Sequence, residues 1–204
     1  STQIDQVTSL KSQPRGTTWE VLDEEIVHKY TTRTALLGPR PADLKIVYTA
    51  MHGVGTKTLQ RVFHKAGFAS LILVDAQADP DPDFPTVAFP NPEEPGAIDL
   101  ALETAKAFDA DLVIANDPDA DRCAAAIKDP NTGWRMLRGD ELGVVLGESI
   151  ARNTKSGILA NSIVSSSILS KIAKHYNLDF IETLTGFKYL AKIPNLIFGY
   201  EEAL

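Results

Sequence analysis

The sequence predicts an α/β protein: two successive mixed α/β layered domains, with helices laid on a mainly parallel sheet and the second domain truncated. Two observations carry that expectation. Short apolar runs such as Lys45–Ala50 alternate with segments of helical spacing, and glycine- or proline-rich turns separate them. One turn, Asp129-Pro130-Asn131-Thr132-Gly133, divides the chain into residues 1–131 and 132–204.

Residues 17–37 place Trp19, Leu22, Ile26, Val27 and Tyr30 at helical spacing behind a cap at Thr17 or Thr18. Lys45–Ala50 has the composition of a buried strand. His52-Gly53-Val54-Gly55 is a glycine turn, and the helix predicted over 56–66 stops at Gly67. With Leu71–Asp75 as the next strand, the strand, helix, strand order implies parallel pairing through a right-handed crossover. Six prolines between Ala78 and Pro95 exclude regular helix and mark a long surface excursion of the kind that is often functional. Ala97–Phe108 is an amphipathic helix; Leu112–Ala115 is a strand running straight into an acidic loop, and Cys123–Ile127 is the strand that leaves it. Cys123 is expected to be a small buried thiol.

Past the turn, Trp134–Leu137 is a short strand and Asp140 caps a helix through Ala151. Strands follow over 158–161, 180–183 and 196–198, with helices over 165–176 and 187–193 between them. This second unit repeats the plan of the first in 73 residues, short for an independent domain of this type.

A chain of 204 residues with 44% hydrophobic and 23% charged content has enough apolar surface for one large or two small cores. A net charge of -7 and a pI near 5.1, with no Lys/Arg cluster, argue against a nucleic-acid partner and against an anionic membrane surface. One cysteine cannot form an internal disulfide, and no apolar run approaches the roughly 20 residues needed to span a bilayer. A cytoplasmic location is the expectation. The chain opens at Ser1 without a methionine and stops just after a predicted strand, so a piece of a longer protein is expected.

The acidic loop Asp117-Pro118-Asp119-Ala120-Asp121-Arg122 carries the chemistry. Its aspartates recur at every second residue, and the preceding strand delivers them to its carboxyl end, where open α/β sheets bind ligands. Three crowded carboxylates repel, and a hard divalent cation, Mg2+ above all, resolves the repulsion. Arg122 adds a planar fork suited to a phosphate. A solvated acidic turn is the plain alternative. A calcium-binding EF-hand loop fails at its sixth and twelfth positions, which here are Arg122 and Lys128. An aspartyl nucleophile at Asp117 or Asp119, assisted by Mg2+, remains chemically open. Gly53-Val54-Gly55-Thr56-Lys57-Thr58 lacks the glycine before lysine that a P-loop needs, leaving a strand-to-helix turn whose N–H groups could meet an anion. His52 in that turn could pack the loop or lie near substrate.

Taken together, separated segments resemble the α-D-phosphohexomutase superfamily, in its phosphoglucomutase and phosphomannomutase branch. Residues 117–122 match one form of that family's metal loop completely. Met51–Gly55 resembles its His-Gly turn, Phe89–Pro95 its proline-rich segment, and Thr185-Gly186-Phe187-Lys188 with Gly199–Leu204 the loops that hold the phosphosugar. The resemblance implies domain II and most of domain III of a Mg2+-dependent mutase that interconverts hexose 1-phosphate and 6-phosphate through a phosphoserine and a bisphosphate. It makes Asp117, Asp119 and Asp121 the Mg2+ ligands, and Arg122, His52, Thr185, Gly186, Lys188, Glu201 and Ala203 the substrate-binding residues. Hexose phosphate and hexose bisphosphate are the implied ligands, and domains I and IV of the same polypeptide the implied partners. No nucleophilic serine loop occurs in these residues: Ser165, Ser166 and Ser167 look set to open a helix and lack the histidine and asparagine that follow the family's serine. The fragment alone is therefore expected to be inactive. Ala203 stands where many members have serine, which leaves sugar preference open. An aspartyl-phosphate phosphatase and a non-catalytic sugar-phosphate-binding module are the other readings.

Overall fold

Strand β1 (Ile46–Thr49) is buried along its whole length, as a central parallel strand covered on both faces must be. In the computed structural model, which describes residues 2–38 and 41–202, this strand is flanked by β2 (Ile72–Leu73) and β3 (Leu112–Asn116), both parallel to it. The antiparallel strands β4 (Cys123–Asp129) and β5 (Gly133–Met136) complete a five-stranded sheet in the order β2-β1-β3-β4-β5. A short helix, α1 (Thr2–Asp5), and α2 (Glu24–Ala35) precede the sheet, and α3 (Gly55–Ala66) and α4 (Asp99–Ala107) make its crossovers. Small residues set the packing distance: Ala101 and Ala105 of α4 are fully buried against Val47, Val113 and Ala115.

The second unit builds a separate three-stranded parallel sheet, β7-β6-β8, from β6 (Ile158–Ser162), β7 (Asp179–Thr183) and β8 (Leu196–Tyr200). Its helices are α5 (Gly139–Arg152), α6 (Ile168–His175) and α7 (Phe187–Leu190). In both sheets the first strand lies between the second and the third. The carboxyl ends of the parallel strands therefore collect the loops that follow β1 and β3 in one unit, and β6, β7 and β8 in the other.

Several elements depart from the sequence expectation for local reasons. The first long helix starts at Glu24 rather than near Thr17, because the Asp23 side chain accepts the Glu25 N–H at 2.8 Å and caps it there. Trp19 and Leu22 lie before the helix and are exposed; Val27 and the fully buried Thr31 make the inward face instead. The Gly133–Met136 strand, expected to open the second unit, pairs with β4 and closes the first sheet. Asp140 does not cap α5. That helix begins after Arg138, whose N–H is accepted by Glu141 at 2.9 Å, while Asp140 turns inward to accept the Tyr200 hydroxyl at 2.8 Å and the Ser166 N–H at 2.6 Å. Helix α6 starts only at Ile168, so Ser165 and Ser166 belong to a loop. Cys123, at the start of β4, is exposed rather than buried. No helix among the described residues is long and apolar enough to cross a membrane.

Two glycines let α5 lie close on β8 and on α6. A Cβ on Gly143 would come within 2.4 Å of the Tyr200 ring, and one on Gly147 within 2.6 Å of Leu169. Alanine in a helix interior normally gains stability over glycine, by about 0.5–1 kcal/mol. Here the clash reverses the sign. Gly143→Ala is expected to destabilise the chain by about 1–3 kcal/mol in urea unfolding, and a net gain would show that α5 does not pack this closely.

Candidate functional site

The acidic loop is a tight link between β3 and β4, whose ends Asn116 and Cys123 are paired across the sheet. The chain reverses over 117–122 with the Ala120 N–H bonded to the Asp117 carbonyl at 3.0 Å and Ala120 itself at φ +60°, a left-handed conformation uncommon for a residue with a Cβ. One carboxylate oxygen each from Asp117, Asp119 and Asp121 lies within 4.8 Å of the others. Asp117 is buried, while Asp119 and Asp121 are exposed. The expected triad is thus brought together, with one fixed member and two that face outward.

Arg122 closes the loop onto Asp117. Its backbone N–H donates to Asp117 Oδ1 and its Nε to Oδ2, both at 3.0 Å, and Nη1 reaches Asn91 Oδ1 at 3.3 Å. Burial alone would raise the Asp117 carboxyl; hydrogen bonds from the Arg122 backbone and from Asp119, with the guanidinium charge, outweigh it and hold the group below its ordinary range. Asp121 moves the other way, raised by partial desolvation and then by its neighbours Asp117 and Asp119.

The glycine turn after β1 interlocks with this loop. A Cβ on Gly53 would fall 2.3 Å from the Pro118 Cα and carbonyl oxygen, and the Val54 N–H donates to that carbonyl at 2.9 Å. Only glycine admits such an approach. His52, expected among the substrate-binding residues, is not placed with the carboxylates. Its ring is 4% exposed, with Nε2 2.8 Å from Thr86 Oγ1 and its edge against Phe84, so it packs the proline-rich excursion onto the turn. Gln77 joins the same network, donating to Thr86 and accepting from the buried Thr49 hydroxyl.

In the second unit, the loops after β7 and β8 meet where Glu201 Oε1 accepts the Gly186 N–H, with Gly186 at φ +124°. Thr185 and Lys188 are exposed beside that contact, and Lys188 Nζ sits 5.2 Å from the centre of the Tyr189 ring. Ala203 lies outside the described residues. Glu202 was not anticipated. It turns away from Glu201 and accepts hydroxyl bonds from Ser162 at 3.0 Å and Ser165 at 3.1 Å, tying the loop after β6 to the loop after β8. Glu93 was also missed; its carboxyl is raised by burial, with the Arg122 charge opposing and Glu202 adding to the rise. Through it the proline-rich segment stands in electrostatic reach of both the acidic loop and the second unit. A cavity of about 720 Å³ between the units is lined by Ile127, Arg135, Leu137, Val144, Val145 and Ile168. None of the expected metal or substrate residues lines it, so its size does not mark the site.

Two tandem α/β units, with an acidic loop at the carboxyl end of the first sheet and a Gly-Glu contact at that of the second, define a two-domain α/β class of protein with its polar loops at the strands' carboxyl ends. Residues 27–133 match the family model described as phosphoglucomutase/phosphomannomutase, alpha/beta/alpha domain II, and residues 138–203 match its domain III. The chain belongs to the phosphoglucomutase/phosphomannomutase family. It is 48% identical over 206 residues to a Haemophilus influenzae protein named Probable phosphomannomutase, covering 98% of this chain and 42% of the relative. It is 39% identical to a Saccharomyces cerevisiae phosphoribomutase, over 78% of this chain and 29% of that protein. A Staphylococcus epidermidis phosphoglucomutase is 37% identical, over 82% and 33%. The chain therefore spans less than half the length of these relatives. A crystal structure of a Burkholderia thailandensis phosphoglucomutase/phosphomannomutase family protein shares the fold with a TM-score of 0.74 at 22% identity, covering 87% of this chain and 38% of that one.

The opposed shifts in the loop give a pH signature. Because the folded Asp121 carboxyl titrates above its unfolded value, ionising it costs folding free energy. That cost is absent below the unfolded carboxylate range of about pH 4 and complete once the pH exceeds the raised value. Asp121→Asn is accordingly expected to raise the melting temperature of the cation-free chain at pH 7, with the gain shrinking as the pH falls toward the ordinary carboxylate range and absent below about pH 4. A gain equal at both pH values, measured by thermal melts in EDTA, would contradict the charge-crowding account.

Proposed function

We propose that these residues form the metal-binding domain and most of the sugar-phosphate domain of a Mg2+-dependent phosphosugar mutase, which interconverts hexose 1-phosphate and hexose 6-phosphate through a phosphoserine and a bisphosphate. The observation that carries the reading is the convergence of Asp117, Asp119 and Asp121 beside Arg122, in a chain of this family. Relatives named for mannose, glucose and ribose phosphates support the reaction kind and leave the sugar open.

The three carboxylates suit a hard divalent cation by donor type and spacing. When bound, Mg2+ would supply Lewis-acid stabilisation of charge on a transferring phosphoryl group. Arg122 spends its Nε on Asp117 and Nη1 on Asn91, so the guanidinium is held in one orientation while its other N–H groups serve a phosphate. In the second unit, Glu201 uses Oε1 to fix Gly186 and keeps Oε2 to accept hydrogen bonds from sugar hydroxyls. Exposed Lys188 and Thr185 stand beside it as a cationic and a hydroxyl contact for a phosphosugar. The nucleophilic serine belongs, on this reading, to a first domain outside these 204 residues, and a fourth domain completes the phosphate site.

In the full-length enzyme, Asp119→Ala is expected to reduce hexose phosphate interconversion by roughly a hundredfold or more, while the purified 204-residue chain shows no turnover. A coupled assay checks both. Near wild-type rates in the variant would sink the metal assignment, and turnover by the chain alone would sink the placement of the nucleophile outside it.

A further inference from the structure

We infer that Tyr48, buried in the first sheet, and Asn116, half-buried at the end of the neighbouring strand, are positioning residues that orient the Asp117 carboxylate for cation binding. The inference rests on the cation reading of the acidic loop and adds to it the source of the loop's rigidity.

Tyr48 is the one side chain of β1 that combines a large apolar body with a polar tip, and it is 1% exposed. Its hydroxyl donates to Asn116 Oδ1 at 2.9 Å, from β1 to the last residue of the neighbouring β3. Asn116 then uses its other amide atom: Nδ2 donates to the Arg122 carbonyl at 2.6 Å, so one side chain clasps the first and last residues that bracket the loop. Arg122 in turn covers both oxygens of Asp117 from its backbone N–H and its Nε. The result is a continuous run of hydrogen bonds from the centre of the sheet to the buried carboxylate. Each donor and acceptor in it is committed, so the lone pairs that Asp117 has left point in a fixed direction.

Room for the run is built in. A Cβ on Gly55 would lie 2.4 Å from the Tyr48 hydroxyl, so the turn after β1 carries glycine where any side chain would push the phenol off Asn116. The Tyr48 hydroxyl is given to Asn116, and the Asn116 amide to Tyr48 and the Arg122 carbonyl. They act through Asp117, as the hydrogen-bond partners that orient the ligands of other metal sites do.

Mn2+ titration of the 204-residue chain, followed by the electron paramagnetic resonance of the free ion, tests this beside a thermal melt in EDTA. The wild type is expected to bind Mn2+ and Asp119→Ala to lose it. Tyr48→Phe keeps the ring that fills the core, so it is expected to fold and to bind Mn2+ about tenfold more weakly; Asn116→Ala should weaken binding at least as much. A lower melting temperature with the Mn2+ affinity of Tyr48→Phe within twofold of wild type would reduce both residues to core packing and overturn the inference. No Mn2+ binding by the wild type would overturn the cation reading and this inference together, which separates the two failures.

Discussion

Carboxylates that crowd to within 5 Å need compensation, and much of the first unit is arranged to supply it. Two unit charges at that separation repel by about 1 kcal/mol in bulk water and by about 3 kcal/mol at an effective dielectric near 20. Arg122 answers only part of this. Its two short bonds go to Asp117, and its approach to Asp121 is a looser 3.8 Å, so the outward pair Asp119 and Asp121 keeps its mutual repulsion. The loop is held in that costly shape from three sides: Asn116 across its base, Asn91 against the guanidinium, and the Gly53 turn beneath Pro118. The fold therefore holds the loop in one shape despite the repulsion that remains between Asp119 and Asp121.

The same constraint explains why backbone strain gathers here. Met51 and His52 have φ of +50° and +62°, and Ala120 has +60°, each unusual for a residue with a side chain. Met51 and His52 are paid back by burial and by bonds: the His52 N–H donates to the Gln77 carbonyl at 3.0 Å, and the His52 carbonyl accepts the Asp81 N–H at 3.0 Å. The proline-rich excursion is therefore part of the site's support. It covers the turn through Thr86 and Phe84 and, farther along, offers Asn91 to Arg122.

Much of this was legible in the sequence because it depends on local order. An apolar strand followed by alternating aspartates puts the triad at a sheet's carboxyl end, and Gly67 stops α3 in the left-handed conformation that favours glycine. What could not be read depends on partners distant in the chain. Asp140 looks like a cap from its neighbours, yet Tyr200, 60 residues on, takes its carboxylate inward. His52 sits in a turn that resembles a ligand loop, and only the return of the chain at Thr86 shows that its ring is used for packing. Cys123 opens an apolar run that its flanks mark as a strand, but the strand's first residue emerges at the loop and is exposed. Serines at 165 and 166 look in sequence like a helix start; Glu202 and Asp140 claim them for a loop instead.

Adjacent glutamates settle how the second unit answers the first. Glu201 and Glu202 follow β8 in sequence but bond elsewhere, Glu201 to Gly186 after β7 and Glu202 to Ser162 at the end of β6 and Ser165 in the loop that follows it. One dipeptide thus fixes all three loops at the carboxyl edge of that sheet. Glu202 also adds its charge to Glu93, which the Arg122 charge offsets. Arg122 therefore serves the buried carboxylate of Asp117, the excursion at Asn91 and the acidic approach of the second unit at once. A lysine could not do so: its single ammonium, on a flexible stem, cannot hold Asp117 from Nε while reaching Asn91 from a second nitrogen. The planar fork is what ties the acidic loop of the first unit to the proline-rich excursion that approaches Glu202 of the second.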